Sequence, residues 1–335
     1  MTRRNRSPAA ARGRPRTRLA RADAAGLSRA ARILRSGGLV AFPTETVYGL
    51  GARAFDAAAA RRVYRAKGRP SGNPLIVHVD GEAMLALVAR RVSPLSRRLM
   101  KSFWPGPLTL IFDKTPAVPA AVTGGRGTVA VRCPAHPAAR ALIRALGEPI
   151  AAPSANRSGR PSPTTAAHVL YDLRGRVPLI LDGGPCRRGL ESAIVDARGL
   201  RPVLLRPGTI TTEELARAAR ARVAAPGRSA PPAPGTRHRH YAPACLVVPV
   251  APCRVRKGLS ALGPRDGLVH RSKGAAGLAS FVRRVPGGVA RYAREIFAAL
   301  RSAETAGVRT LYVETVPDRG VGRAVMDRLR RAAAR

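Results

Sequence analysis

Residues 37–53 read GGLVAFPTETVYGLGAR, and the order of residue types in that stretch decides the fold class. Residues 39–43 form a short apolar run, the kind that makes a strand buried within an α/β sheet. The run opens directly into Pro43, Thr44, Glu45, Thr46 and a glycine pair. Strand ends that open into polar loops are where such sheets hold ligands. Upstream, Leu27, Ala31 and Leu34 recur at helical spacing and stop at Gly37 and Gly38, which predicts a helix with a glycine C-cap. Downstream, short apolar runs follow at 75–79, 108–112, 129–131, 150–152, 179–181, 193–195 and 203–205, with helical stretches at 55–66, 138–146 and 164–173. That is mixed α/β, with too many strands per helix for a simple doubly wound sheet. Thr211 and Glu214 form a capping box for a last helix reaching about residue 222.

At 335 residues and 45% hydrophobic content the chain is long enough for two domains with buried cores. Residues 1–22 hold eight arginines and no acid, and predict a basic disordered arm. Residues 23–223 make the main domain, 224–244 a linker dense in proline, glycine and cations, and 245–335 a second, smaller unit. That unit opens with a strand at 245–250, carries Val289, Tyr292, Ile296 and Leu300 on one helix face, and ends with a strand at 310–316 and a helix at 324–334. Such alternation predicts a Rossmann-like α/β domain. No run of eighteen uncharged apolar residues occurs, so no membrane span is predicted and the cytoplasm is the expected location. Cys133, Cys186, Cys245 and Cys253 include no CxxC pair, which argues against a zinc site or a disulfide scaffold. The net charge of +41, from 60 Lys and Arg against 19 Asp and Glu, favours phosphorylated or nucleic-acid partners, although broad arginine bias gives the same number.

The candidate chemistry sits in three blocks, the first being residues 37–53 with Thr44, which read equally as a well-packed turn. In KGRPSGNP, residues 67–74, Lys67 and Arg69 lie past a helix end with Asn73 in a glycine-containing loop. Guanidinium forks and mobile ammonium groups suit a phosphate chain, while the plain alternative is cations at the negative end of a helix dipole. In APSANRSGRPSP, residues 152–163, Ser154, Asn156 and Ser162 offer donors for phosphate or ribose oxygens, or make ordinary turns. His78 in its apolar run, which by itself reads as a core side chain, Arg132 at a strand end, a carboxylate clamp or an ordinary rim arginine, Ser192 before one strand and Arg206 after another complete the set.

Taken in order, FPTETVYGLG, KGRPSGNPLIVHV, FWPGPLTLIF, TVAVRCPAHP, APSANRSGRPSPT, LDGGPCRRGLESAIVD and LLRPG resemble the YrdC-like L-threonylcarbamoyladenylate synthases. APGTRHRHYAP, residues 233–243, is similar to the linker signature of the long, two-domain members, with Ala233, Thr236 and His238 departing from it, and the resemblance extends over 24–335. It implies a YrdC-like twisted mixed sheet followed by the smaller Rossmann-like domain. It also implies an enzyme that condenses L-threonine, bicarbonate and ATP, with Mg2+, to threonylcarbamoyl-AMP and pyrophosphate. The product would pass to a separate tRNA threonylcarbamoyl transferase complex acting on ANN-decoding tRNAs. By position, the resemblance implies that Thr44, His78, Arg132 and Ser192 bind threonine. Lys67, Arg69, Asn73, Thr128, Ser154, Ser162, Arg206 and Tyr241 would face ATP, with Lys67, Arg69 and Asn156 nearest the reacting phosphate and the linker serving as a lid. No metal ligand is implied at a named residue.

Three other readings compete. Gly49, Gly51 and Ala54 match G-x-G-x-x-A, the dinucleotide fingerprint, but follow a polar turn rather than a strand. A non-catalytic RNA-binding protein fits the charge but lacks any RNA-binding motif, and only 4% of residues are aromatic. Carbamoyl transfer in hydrogenase maturation would call for cysteine-pair zinc segments that are absent here.

Overall fold

The structure is a computed structural model that describes residues 16–227, 240–256, 262–272 and 279–334. Its main unit holds strands β1 (Arg18–Arg21), β2 (Val40–Phe42), β3 (Gly49–Arg53), β4 (Ile76–His78), β5 (Leu108–Asp113), β6 (Thr128–Arg132), β7 (Ile150–Ala152), β8 (Leu179–Asp182), β9 (Ala193–Asp196) and β10 (Val203–Arg206). Among the described residues these form one ten-stranded sheet in the order β1-β8-β2-β3-β7-β4-β6-β5-β9-β10. Parallel pairs (β1 with β8, β8 with β2, β4 with β6, β5 with β9) mix with antiparallel ones, which is the mixed twisted sheet expected of the family.

Helices cover the sheet where their apolar faces demand it. Ala24–Arg35 starts on Asp23, whose carboxylate accepts from Gly26 N at 2.8 Å, and buries Ala30, Ala31 and Leu34 against Leu142 and Ile143 of Pro137–Leu146 and against Leu179 of β8. Thr211 and Glu214 do form the capping box, and their helix, Thr212–Ala219, stops short of residue 222 because Arg220 turns into a left-handed cap.

The glycine pair departs from the loop reading. Gly49–Arg53 is a strand, with Phe42 opposite Gly49 and Val40 opposite Gly51. A Cβ on Gly51 would meet Phe42 at 2.9 Å and Ile150 at 2.8 Å, so the glycine is there for close packing. Neither Gly49 nor Gly51 has positive φ and no helix opens on them, so the dinucleotide fingerprint is excluded. The expected arm is also shortened. Residues 18–21 pair with β8 in parallel, Leu19 opposite Ile180, because the sheet edge offers unpaired backbone groups that a polar segment satisfies as well as an apolar one. Residues 1–15 lie outside the described residues.

The second unit has strands β11 (Leu246–Val250), β12 (Asp266–His270), β13 (Phe281–Arg284) and β14 (Thr310–Glu314), all parallel, in the order β11-β14-β12-β13. Helices Val289–Thr305 and Val321–Ala333 pack with it, giving the small Rossmann-like layer. Its core also takes in Val47, Leu190 and Tyr241, two of them from the main unit.

Candidate active site

The helix Ala57–Lys67 ends on Gly68 at φ 63°, a left-handed turn that glycine adopts without steric cost. The turn doubles the chain back, Arg69 N donating to Tyr64 O at 2.9 Å, and buries both Lys67 and Arg69. Lys67 Nζ donates to the carbonyls of Ser154 and Asn156, and Arg69 donates to the carbonyls of Asn73 (3.2 Å) and Pro74 (3.1 Å). Burial, with the charge of Arg69 behind it, holds the Lys67 amine well below its ordinary pKa, and burial brings the Arg69 guanidinium down to about 10.

Arg132, at the end of β6, is fixed on three sides. It donates to Thr46 Oγ1 at 2.7 Å, Glu45 Oε1 at 2.6 Å and Gly106 O at 3.2 Å. Glu45 also accepts from Ala135 N at 3.1 Å. Burial alone would raise the Glu45 carboxyl, but the Arg132 charge beside it outweighs that and keeps it below the usual carboxylate value. Thr44 Oγ1 donates to Val47 O at 2.6 Å and accepts from Thr46 N at 3.2 Å, the local turn that presents this loop. His78 Nδ1 donates to Ile76 O at 3.2 Å, and burial lowers its pKa to about 3, so the ring is neutral near pH 7.

Across the site, Arg206 Nη2 donates to Ser192 O at 3.0 Å, and Ser192 Oγ lies 2.7 Å from Thr109 Oγ1. The 154–162 loop is knotted on Asn156, whose Nδ2 donates to the carbonyls of Arg157 and Arg160 at 2.8 Å, while Ser162 Oγ donates to Glu191. Over the mouth, Tyr241 sits at φ 65°, stacked on Phe297 at 5.4 Å, and Ala242 N donates to Gly159 O at 2.8 Å. The residues 233, 236 and 238 at which the linker departs from its signature lie outside the described residues. His240 is buried at the same mouth, and its pKa is pushed well down by burial first and then by Arg69, Lys67, Arg206 and Arg328. Arg69, Arg132 and Arg206 border this space with one carboxylate, Glu191, an excess of positive charge suited to an anionic ligand.

One cavity gathers Thr44, Arg69, His78, Arg132, Ser154, Ser192, Arg206 and Tyr241. Lys67 and Asn156 lie behind its Ser154 wall, and Ser162 behind its Glu191 wall. Asn73 and Thr128 do not line it. The β4–β6 register, Ile76 opposite Ala130 and His78 opposite Arg132, explains why. Thr128, Ala130 and Arg132 share one face, with Thr128 roughly 13 Å from Arg132 at about 3.3 Å per residue. Between those ends lies an apolar floor of Ile76, Ala130, Ile111, Ile194 and Leu205. The arrangement has a compact polar end at Thr44 and Arg132, cations at Arg69 and Arg206, and beyond them an apolar cluster of which Ile76 lines the cavity. Sequence reading passed over Glu191, Thr46 and Thr109 as site residues, because a side chain that braces another leaves no local pattern. Among the described residues no group of three or more His, Cys, Asp or Glu can hold a metal ion, and Glu191, the carboxylate that lines the cavity, is taken by Ser162 and Arg328.

Comparison with known proteins assigns this geometry to a lineage. Residues 32–208 match the Sua5–YciO–YrdC model described as "Telomere recombination", and residues 210–334 match "Threonylcarbamoyl-AMP synthase, C-terminal domain". The chain is similar to the threonylcarbamoyl-AMP synthases of Pyrococcus abyssi (44% identical, 91% of this chain and 93% of that one) and Bacillus subtilis (43%, 92% of each). Its fold is similar to a structure of P. abyssi Sua5 complexed with L-threonine, with a TM-score of 0.87 at 42% identity over 95% of this chain and 97% of that one.

Proposed function

Since the chain belongs to the Sua5–YciO–YrdC family and carries the Sua5 C-terminal domain, we propose that it is a threonylcarbamoyl-AMP synthase, a nucleotidyltransferase serving tRNA modification. It condenses L-threonine, bicarbonate and ATP. The observation that carries this reading is the meeting, in one positive cavity, of the Thr44, Arg132 and Ser192 end with the Arg69, Arg206 and Tyr241 end.

Arg132 uses three of its five guanidinium donors on Gly106, Thr46 and Glu45, which locks its plane and leaves the others for the threonine carboxylate. Neutral His78 and the hydroxyls of Thr44 and Ser192 border the same end and suit the threonine hydroxyl and amine. The threonine nitrogen bonds to the carbon of bicarbonate-derived carbon dioxide. An oxygen of the resulting carbamate attacks the α-phosphorus of ATP, the α–β anhydride bond breaks and pyrophosphate leaves. No side chain forms a covalent intermediate, so the chain's work is positioning and charge neutralisation. Arg69 and Arg206, with Lys67 behind Ser154, balance the triphosphate. The apolar floor toward Thr128 and Asn73 accepts the adenine, and His240 and Tyr241 exclude water from the mouth. Among the described residues no group of three or more His, Cys, Asp or Glu could hold a metal ion, so the nucleotide phosphates would supply most of the ligands of Mg2+, which would help neutralise the leaving pyrophosphate.

The test is pyrophosphate release from ATP by the purified full chain, with the adenylate identified by mass spectrometry. Release that requires both threonine and bicarbonate is expected, and release indifferent to threonine rejects the reading.

The domain limits belong to the same proposal: 23–223 as the catalytic unit, 224–244 as a lid and 245–335 as its cover. The adenylate is consumed by a separate transferase complex in the cytoplasm. Among the described residues no helix is long and apolar enough to cross a membrane. A groove between β1 and the first helix, lined by Arg16, Arg18, Arg29 and Arg32 and by no acid, suits a tRNA backbone. A double Arg29→Gln, Arg32→Gln variant should lower the salt dependence of tRNA binding by about two phosphate contacts, and an unaltered slope would discard that surface.

A further inference from the structure

One side chain of the second unit reaches the site from behind. Arg328, on the terminal helix Val321–Ala333, is 1% exposed. Its Nε donates to Glu191 Oε2 at 3.1 Å, its Nη1 donates to Pro207 O and to Asp327 Oδ2, both at 2.8 Å, and its guanidinium carbon lies 5.3 Å from the centre of the Tyr241 ring. Glu191 and Tyr241 line the cavity, and Ser192 and Arg206, which line it too, are the chain neighbours of Glu191 and Pro207. Arg328 does not line it. A single planar group therefore touches the β9–β10 pair where the chain enters it, at 191, and leaves it, at 207, and ties both to Tyr241.

We propose that Arg328 is a positioning residue for adenylate formation, holding Ser192, Arg206 and Tyr241 in the geometry that binds threonine and ATP. The inference rests on the function proposed above and adds a residue-level task for the second unit. Two physical consequences follow from the fork. Its rigid donors fix directions as well as distances, which a flexible ammonium does not. Its charge neutralises Glu191, a buried carboxylate that would otherwise face the triphosphate. Domain adhesion alone does not require this placement. Arg301 also joins the two units, donating to Asp172 Oδ2 at 2.6 Å and to the Pro161 carbonyl, yet neither those partners nor their chain neighbours line the cavity.

The experiment is steady-state pyrophosphate release by the full chain, varying ATP and threonine in turn, for wild type, R328K, R328Q and R301K, with urea midpoints for each. Loss of folded protein lowers apparent kcat and leaves KM alone. Displacement of binding groups raises KM. R328K is expected to fold and to raise KM for both substrates about tenfold or more, with R328Q worse, since small misplacements at a reacting site cost up to about 100-fold. R301K is expected to lower the urea midpoint at unchanged KM. If R328Q does not fold, R328K alone decides. Wild-type KM values in folded R328K, or an equal rise in R301K, would overturn the proposal. Wild-type protein that makes no adenylate defeats the functional reading itself, whereas an active wild type with an unmoved R328K defeats only this inference.

Discussion

Replacement of Arg132 by alanine is expected to remove adenylate formation, with kcat/KM falling about 100- to 1,000-fold, the range seen when a preorganised charge donor is deleted from an active site. It should also cost about 3–5 kcal/mol of stability, because breaking a buried ion pair strands the surviving charge. Arg132 is 4% exposed and Glu45 7%, and once the guanidinium is gone Glu45 is left with backbone N–H donors, Ala135 N among them, in place of a charged partner. Thr46 loses a partner at the same time, and the loop that presents Thr44 loosens with it. The two losses are separable. Adding Glu45→Gln to Arg132→Ala removes the stranded charge, so the urea midpoint should recover in part while turnover does not. Recovery of turnover in the double variant would mean that Arg132 serves only to neutralise Glu45.

Lys67→Met should show the opposite balance. The Lys67 ammonium is 3% exposed and its described partners are carbonyl and amide oxygens of Ser154 and Asn156, with no carboxylate among them. A cation held that way is costly to desolvate, which is why burial drives its pKa down. Methionine matches its length and carries no charge, so the gain from removing the buried cation offsets the loss of its hydrogen bonds. Stability is expected to shift by no more than about 2 kcal/mol. Activity is expected to fall about 100-fold or more under the proposed function, because the cation behind the Ser154 wall no longer helps balance the phosphate chain. Urea midpoints and single-turnover rates check both arms. A folded K67M protein with wild-type rates would remove Lys67 from the site, and an unfolded one would make it a structural cation.

How far the sequence could be read depended on whether a feature leaves a local trace. Strands β2, β5, β6, β8 and β9 were legible because their apolar runs are buried on both faces, and the first helix because its period ends on glycine. β1 was not, since Arg18–Arg21 is mostly exposed and owes its form to the free edge of β8 rather than to its own residues. β3 was read as a loop because its glycines signal turns in general, while here they make room for Phe42 and Ile150. β12 opens on Asp266 and Gly267, a pair that signals a turn, and Arg283 and Arg284 mask the period of β13. In the site, strand-end and loop residues stood out by type and by family resemblance. Their braces did not, because Glu45 and Arg132 lie 87 positions apart and Glu191 and Arg328 137 apart, distances that no spacing rule spans.

The sharing of Val47 and Leu190 with the core of the second unit bears on how such proteins can be recombined. A chimera that imports residues 240–334 from a relative brings a new apolar surface and meets two residues selected against the old one. Grafting succeeds only if the positions of Val47 and Leu190 travel with the insert, so the unit of inheritance is larger than the segment a crossover at the linker would transfer. Where the polypeptide divides is therefore a poor guide to where it can be cut and rejoined.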